Sequence, residues 1–266
     1  MASEQPNDGG EQRAGWSEGE LRADPHAHAE KAAKVRSMFA AIAGKYDLNN
    51  RVHSFGRDQA WRREAVRMAH VTKTDRVLDV ACGTGDLSRA FADAGAAHVT
   101  GLDFTQEMLD IAKTKRLVKR GTLRSGKPVI DYVQGDAMRL PFADKTFDIV
   151  SIAFGIRNVS EPMVALREFA RVLKPGGRLV VLEFDQPSAG PVRWLNKLYC
   201  NKVMPITASL ISRDKAGAYK YLPRSIETFL TSEALASAMV EAGFQDPQIK
   251  RLTLGVCACV RGDKPA

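Results

Sequence analysis

The stretch Val77-Leu78-Asp79-Val80-Ala81-Cys82-Gly83-Thr84-Gly85-Asp86 constrains this chain more than any other. An apolar run carrying one acid reads as a strand, the two glycines as a turn, and Asp86 onward as a helix start. Gly83 and Gly85 allow a sharp turn and let a ligand approach with no Cβ in the way. A dinucleotide site needs a third glycine in G-x-G-x-x-G to cradle a pyrophosphate, and that place holds Ser88. A cofactor without a pyrophosphate fits this turn better.

The rest of the chain alternates in the same way. Strands are predicted over 76–80, 98–102, 129–133, 147–153 and 178–184. Helices are predicted over 86–94, 105–119 and 162–173, with Lys174-Pro175-Gly176-Gly177 as a helix stop and tight turn. Such alternation predicts an α/β fold, a mostly parallel sheet covered on both faces. Val35, Met38, Phe39 and Ile42 fall at helical spacing, and a second helix is predicted over 58–70, giving an N-terminal helical extension over 31–72. Residues 185–230 interrupt the alternation as a helical insertion capping the sheet. Helix 232–241 and the run 249–260 close the sheet with an antiparallel strand at its edge. Residues 31–266 thus read as one domain.

Residues 1–30 differ. They hold seven acids and two bases, a net of −5, with only Trp16 and Leu21 as large apolar groups. Burial there cannot offset the ordering entropy, so a disordered acidic tail is expected. The remainder carries +13, which suits either a solvated surface or an anionic partner. Lys113, Lys115, Arg116, Lys119, Arg120, Arg124 and Lys127 cluster on one helix and the loop after it. No apolar stretch approaches the roughly 20 residues of a membrane helix, and the polar N-terminus offers no signal-peptide core. A cytoplasmic protein is expected. Cys257 and Cys259 lie two apart in an apolar run and read as one strand face rather than a metal site.

Two further acids extend the ligand site. Asp103 ends the second strand, twenty residues after Gly83, where a carboxylate can accept from both hydroxyls of a ribose or can cap the next helix. Asp136 follows the third strand, beside Ala137, in position to accept from an adenine amino group or to close a simple turn.

Asp79, Gly83-Thr84-Gly85, Asp103 and Asp136, in this order on successive strands, resemble the class I S-adenosylmethionine-dependent methyltransferases, whose fold is Rossmann-like. The resemblance implies that the glycine loop packs against the methionine part of S-adenosylmethionine, with Asp103 on the ribose and Asp136 and Ala137 near the adenine. S-adenosylhomocysteine is then the product, and no metal is implied. The Pro-Pro-Tyr loop of amino-methylating nucleic-acid enzymes is absent, and no cysteine follows a proline as in cytosine-C5 enzymes.

Over about residues 35–260 the chain resembles the UbiE/MenG/COQ5 family of quinone C-methyltransferases. Phe154-Gly155-Ile156-Arg157-Asn158 and Tyr221-Leu222-Pro223-Arg224-Ser225-Ile226 carry most of the match. Tyr46-Asp47-Leu48, Ser54-Phe55-Gly56 and Leu182-Glu183-Phe184 add to it. Ala153 stands where some members carry serine, and would contact the cofactor. The resemblance implies methylation of a ring carbon on a polyprenylated 1,4-quinol, most simply demethylmenaquinol, with the ubiquinone precursor as the alternative. Arg157 would stabilise the developing phenolate, Asn158 would orient the other oxygen, and Tyr46, Asp47, His53 or Tyr221 would handle the proton. His53 reads more readily as a surface histidine. The prenyl tail would lie in a groove walled by Phe39, Trp194, Leu195, Leu198, Tyr199, Val203, Met204 and Ile206, or in a bilayer touched peripherally at the inner face of the cell membrane. No nucleic-acid partner is expected, and a homo-oligomer is left open.

Overall fold

A computed structural model of the chain describes residues 16, 19–20, 24–115, 130–204, 206–207 and 217–266. Two helices lead, α1 (Lys31–His53) and α2 (Arg57–Met68). The αβ alternation follows as β1 (Arg76–Val80), α3 (Asp86–Asp93), β2 (His98–Asp103), α4 (Gln106–Lys115), β3 (Ile130–Gln134), β4 (Phe147–Ala153), α5 (Pro162–Val172) and β5 (Leu173–Phe184). Then come α6 (Gly190–Leu198), a wide π-type turn (Tyr199–Val203), α7 (Ala218–Glu227), α8 (Ser232–Glu241), β6 (Gln245–Leu252) and β7 (Cys257–Asp263).

The strands form one sheet in the order β3-β2-β1-β4-β5-β7-β6. Five run parallel, while β7 pairs antiparallel with both β5 and β6. The reversed strand therefore sits one place in from the edge, and β6 forms the edge. Lys174–Gly177 falls within the β5 range, not between helix and strand. Gly176 turns at φ 72°, and pairing with β4 jumps from Leu173–Phe147 to Arg178–Ile149.

Side chains alternate between the two faces of the sheet, as a period of two requires. Leu78, Val80, Val150 and Ile152 pack under Leu166, Phe169 and Met239 of α5 and α8. Val77, Ile149, Val180, Cys257 and Cys259 pack with Trp61, Ala65 and Phe91 of α2 and α3. The two cysteines thus share one buried strand face. A third cluster joins Val35, Met38 and Ile42 of α1 to Met204 and to Ala218 and Tyr221 of α7. Most of the expected disordered tail lies outside the described residues. Within it, Trp16 is buried in this third cluster and stacks on Tyr221 with ring centroids 4.8 Å apart. Its indole supplies the apolar area that the tail's composition otherwise lacks. The His26 ring also meets the Ser225 carbonyl at 2.9 Å.

Candidate functional site

Strand order reverses between β1 and β4, and a ligand crevice opens at such a point beyond the carboxyl ends of the strands. The loops that leave β1, β2, β3 and β4 bring Gly83, Asp103, Asp136, Ala137 and Ala153 to the wall of one cavity of about 120 Å³. Ala32, Val35, Phe39 and Tyr46 of α1 close it from above. Gly155 is required here, because a Cβ on it would lie 2.6 Å from the Ala81 Cβ, where the β1 and β4 loops meet.

Asp103 anchors the turn before α4 and also lines the cavity. Its Oδ2 accepts the Gly83 amide at 2.7 Å and its Oδ1 the Thr105 amide at 2.8 Å, while the residue lines the cavity. The carboxylate is fixed by two backbone donors and retains lone pairs for a ribose diol. Burial raises its pKa and the two amides oppose that rise. Asp136 lines the same cavity, and its Oδ1 accepts the Met138 amide at 2.8 Å. Phe104, Met108, Met138 and Val159 supply apolar walls for a flat purine. The residues present fit an adenosyl group.

Asp79 is elsewhere. It is 1% exposed, and its two oxygens accept from Ser88 at 2.6 Å and Ser151 at 2.9 Å beneath the glycine loop. Burial pushes its pKa to about 6. Its register opposite Ser151 makes it a buried bracket between β1, β4 and α3 rather than part of the cavity wall. Thr84 and Gly85 also stand back from the wall. The Thr84 hydroxyl donates to Asp47 at 2.6 Å, and Gly85, with φ 79°, forms the left-handed turn before α3. Asp47 in turn pairs with Lys115, which also meets Asp86 at 3.1 Å. Of the basic cluster expected to face solvent or lipid, Lys115 is therefore engaged inside the fold, and residues beyond it to Lys127 lie outside the described residues.

A second cavity of about 430 Å³ shares Phe39, Tyr46 and Phe154 with the first. Its wall is largely apolar, with Met38, Ile42, Trp61, Phe184, Met204, Leu222 and Ile226. Arg157 lies in this wall and is 5% exposed. Its Nη1 donates to Glu183 Oε1 at 2.6 Å and to the Phe154 carbonyl at 2.8 Å, and its guanidinium sits over the Phe184 ring at 5.3 Å. Burial pushes the Glu183 carboxyl up, and the arginine charge opposes it. Asn158, next in sequence, faces the smaller cavity instead. Its Nδ2 donates to the Phe154 carbonyl at 3.2 Å and its Oδ1 accepts from Tyr221 at 3.0 Å, so its amide is already engaged.

Tyr46 sits where the two cavities meet, and burial raises its pKa. Tyr221 is pushed up to about 12 by burial. Both are neutral phenols at ordinary pH. His53 lies in the larger cavity's wall rather than on an open surface, with Nδ1 3.1 Å from the Tyr199 hydroxyl. Desolvation lowers its pKa, which favours the neutral imidazole. Lys31, not singled out by any sequence motif, is 2% exposed and donates to the Val159 carbonyl at 2.6 Å, tying the start of α1 to the smaller cavity. Desolvation lowers its pKa to about 8.

Only Phe39, Tyr199 and Met204 of the expected groove residues line the larger cavity. α6 borders the cavity through Arg193, Asn196 and Lys197, of which Arg193 and Lys197 are themselves exposed, as are Trp194, Leu195 and Leu198. Val203 and Ile206 are exposed as well. Among the described residues no group of three His, Cys, Asp or Glu could hold a metal, and no helix is long and apolar enough to cross a membrane.

A seven-stranded sheet of this order, with an acid at the end of β2 and a glycine turn after β1 on one cavity, defines a class I S-adenosylmethionine-dependent methyltransferase. A SAM-dependent methyltransferase of Thermotoga maritima shares the fold, with a TM-score of 0.59 at 20% identity over 86% of this chain and 99% of that one. The model of the ubiE/COQ5 methyltransferase family matches residues 27–264, and the chain belongs to that family. A Thermus thermophilus protein named demethylmenaquinone methyltransferase is 45% identical over 86% of this chain and all of its own length. A Geotalea daltonii protein named ubiquinone/menaquinone biosynthesis C-methyltransferase UbiE is 40% identical over 88% of this chain and 98% of its own.

Proposed function

We propose that this chain methylates a ring carbon of a polyprenylated 1,4-quinol, with demethylmenaquinol as the acceptor and menaquinol as the product. The observation that carries this reading is the junction of the two cavities at Phe39, Tyr46 and Phe154, with Arg157 in the wall of the larger one. The names of the relatives supply the acceptor class.

S-adenosylmethionine, when bound, supplies a sulfonium methyl that is already electrophilic, so no covalent nucleophile is required. Asp103, Asp136 and Ala137 would hold the donor by its adenosyl end, with the turn at Gly83 against its methionine part. The larger cavity would hold the ring with one face toward the donor, because the π electrons of the ring carbon form the new bond, and this lowers the entropic cost of bringing two reactants together. Loss of a hydroxyl proton raises electron density at the ring carbon, and substitution there also expels that carbon's own hydrogen as a proton, so that the ring is aromatic again. Arg157, charged at all working pH values, stabilises the quinolate oxygen electrostatically rather than taking its proton. Neutral His53, backed by the Tyr199 hydroxyl, is a group in this wall suited to accept the hydroxyl proton. Its role is tested by the pH profile of kcat, which falls below the His53 pKa and loses that limb in His53→Phe.

A prenyl tail leaving this cavity passes beneath α6. The outward Trp194, Leu195 and Leu198 suit a peripheral contact with a bilayer, where such a substrate resides. The benzoquinol precursor of ubiquinone carries the same 1,4-dihydroxy ring, and the Geotalea daltonii relative is named for both quinones. Competition between a demethylnaphthoquinol and a methoxybenzoquinol, each with a short prenyl chain, separates the two: kcat/KM is higher for the naphthoquinol if menaquinone is the product.

A further inference from the structure

One side of α1 carries Met38, Ile42, Tyr46, Asn49 and His53 at steps of four, four, three and four, which is the spacing of a single helical stripe. All five line the larger cavity. Met38 and Ile42 fill it with apolar bulk, Tyr46 reaches the donor side, and His53 meets Tyr199. Asn49 has no such explanation. It is 1% exposed at a core-facing position, and neither its Oδ1 nor its Nδ2 has a hydrogen-bond partner. A buried carboxamide with donor and acceptor both unpaired is a costly occupant of a position that leucine or methionine would fill without penalty.

The para-quinol ring carries two oxygens at opposite ends, and each can both donate and accept. Arg157 provides for one. The amide expected to serve the other, Asn158, is engaged by Phe154 and Tyr221 and faces the smaller cavity. We infer that Asn49 binds the second oxygen of the 1,4-dihydroxy ring, with Nδ2 donating to it and Oδ1 accepting its proton while that hydroxyl is intact. This rests on the quinol reading above and adds the group that sets the ring's orientation.

The test uses a short-chain demethylnaphthoquinol and its two mono-O-methyl ethers, with donor affinity measured by calorimetry alongside. Asn49→Leu is expected to raise KM for the quinol about tenfold, the effect of one lost hydrogen bond to a buried partner. Donor affinity stays within about twofold and Tm does not fall, because an unpaired amide has been replaced by an apolar group. For the natural protein both ethers are poorer substrates than the quinol: the ether blocked at the oxygen that ionises cannot form the quinolate in either protein, and the other ether loses the contact with Asn49. For Asn49→Leu that other ether is no poorer than the quinol. Asn49→Ser, a smaller change to the helix, keeps a hydroxyl and falls between the two. An unchanged KM in both variants, or the same response to each ether in both proteins, would mean that Asn49 meets only water and overturns the inference. A natural protein that binds donor but turns over no quinol overturns instead the acceptor class itself.

Discussion

Arg157 Nη1, in the wall of the larger cavity, lies 2.6 Å from Glu183 Oε1, and both side chains are buried. Removing one member of such a pair strands the other's charge, at a cost of about 3–5 kcal/mol, whereas replacing both by apolar residues is close to neutral. Arg157→Met and Glu183→Leu are each expected to lower stability by that amount in chemical denaturation, and the double variant to recover it. Turnover stays down at least about tenfold in Arg157→Met and in the double variant, since quinolate stabilisation is lost, while donor affinity is unaltered. Recovered turnover in the double variant would assign the pair to structure alone.

Asp103 anchors the Gly83 and Thr105 amides and faces the donor cavity. Asp103→Ala is expected to cost about 1–2 kcal/mol in stability through the lost turn contacts. It also weakens donor binding about tenfold or more, the ribose contacts being charge-assisted. Calorimetry with S-adenosylmethionine checks the second effect separately, and an unaltered Kd returns Asp103 to a purely local capping role.

Asp79 gives a pH signature. Burial raises its pKa to about 6 from the ordinary 3.8, so between those values the folded chain holds a proton that the unfolded chain has released. Its contribution to stability therefore falls as pH rises from about 4 to about 6, by about 3 kcal/mol at ~1.4 kcal/mol per pH unit. Asp79→Asn is expected to flatten that part of the stability profile and to change donor Kd by less than about threefold, because no cavity contact is lost. A large loss of donor affinity at unchanged stability would return Asp79 to the binding site.

The exposed Trp194, Leu195 and Leu198 give a third kind of test. Replacing all three by serine is expected to weaken association with vesicles in sedimentation, since about 1.5 kcal/mol or more per buried large apolar side chain is lost. KM rises for a long-chain quinol in vesicles and stays level for a short-chain one in solution. Equal vesicle binding by both proteins removes this face from any lipid contact.

The strand–turn–helix at 77–86 and the acids at 103 and 136 are legible in the sequence because each depends on neighbours within a few residues. The sheet's alternation is legible for the same reason. Pairings across the fold are not. Nothing near Arg157 announces Glu183, twenty-six positions away on β5, nor does Asn158 announce Tyr221. The periodicity of α6 shows two faces but not which one borders a cavity, and no residue of that helix is buried. The same limit hides Asn49, whose burial depends on helices that meet only in the folded chain.

The most direct measurement is mass spectrometry of the quinol after incubation with S-adenosylmethionine and a short-chain demethylnaphthoquinol under reducing conditions. Carbon methylation leaves both hydroxyls free, so the product gains one methyl group on the ring and still accepts two acyl groups on derivatisation. Donor that binds without any methyl transfer to the ring, or transfer to oxygen in place of carbon, would contradict quinol C-methylation.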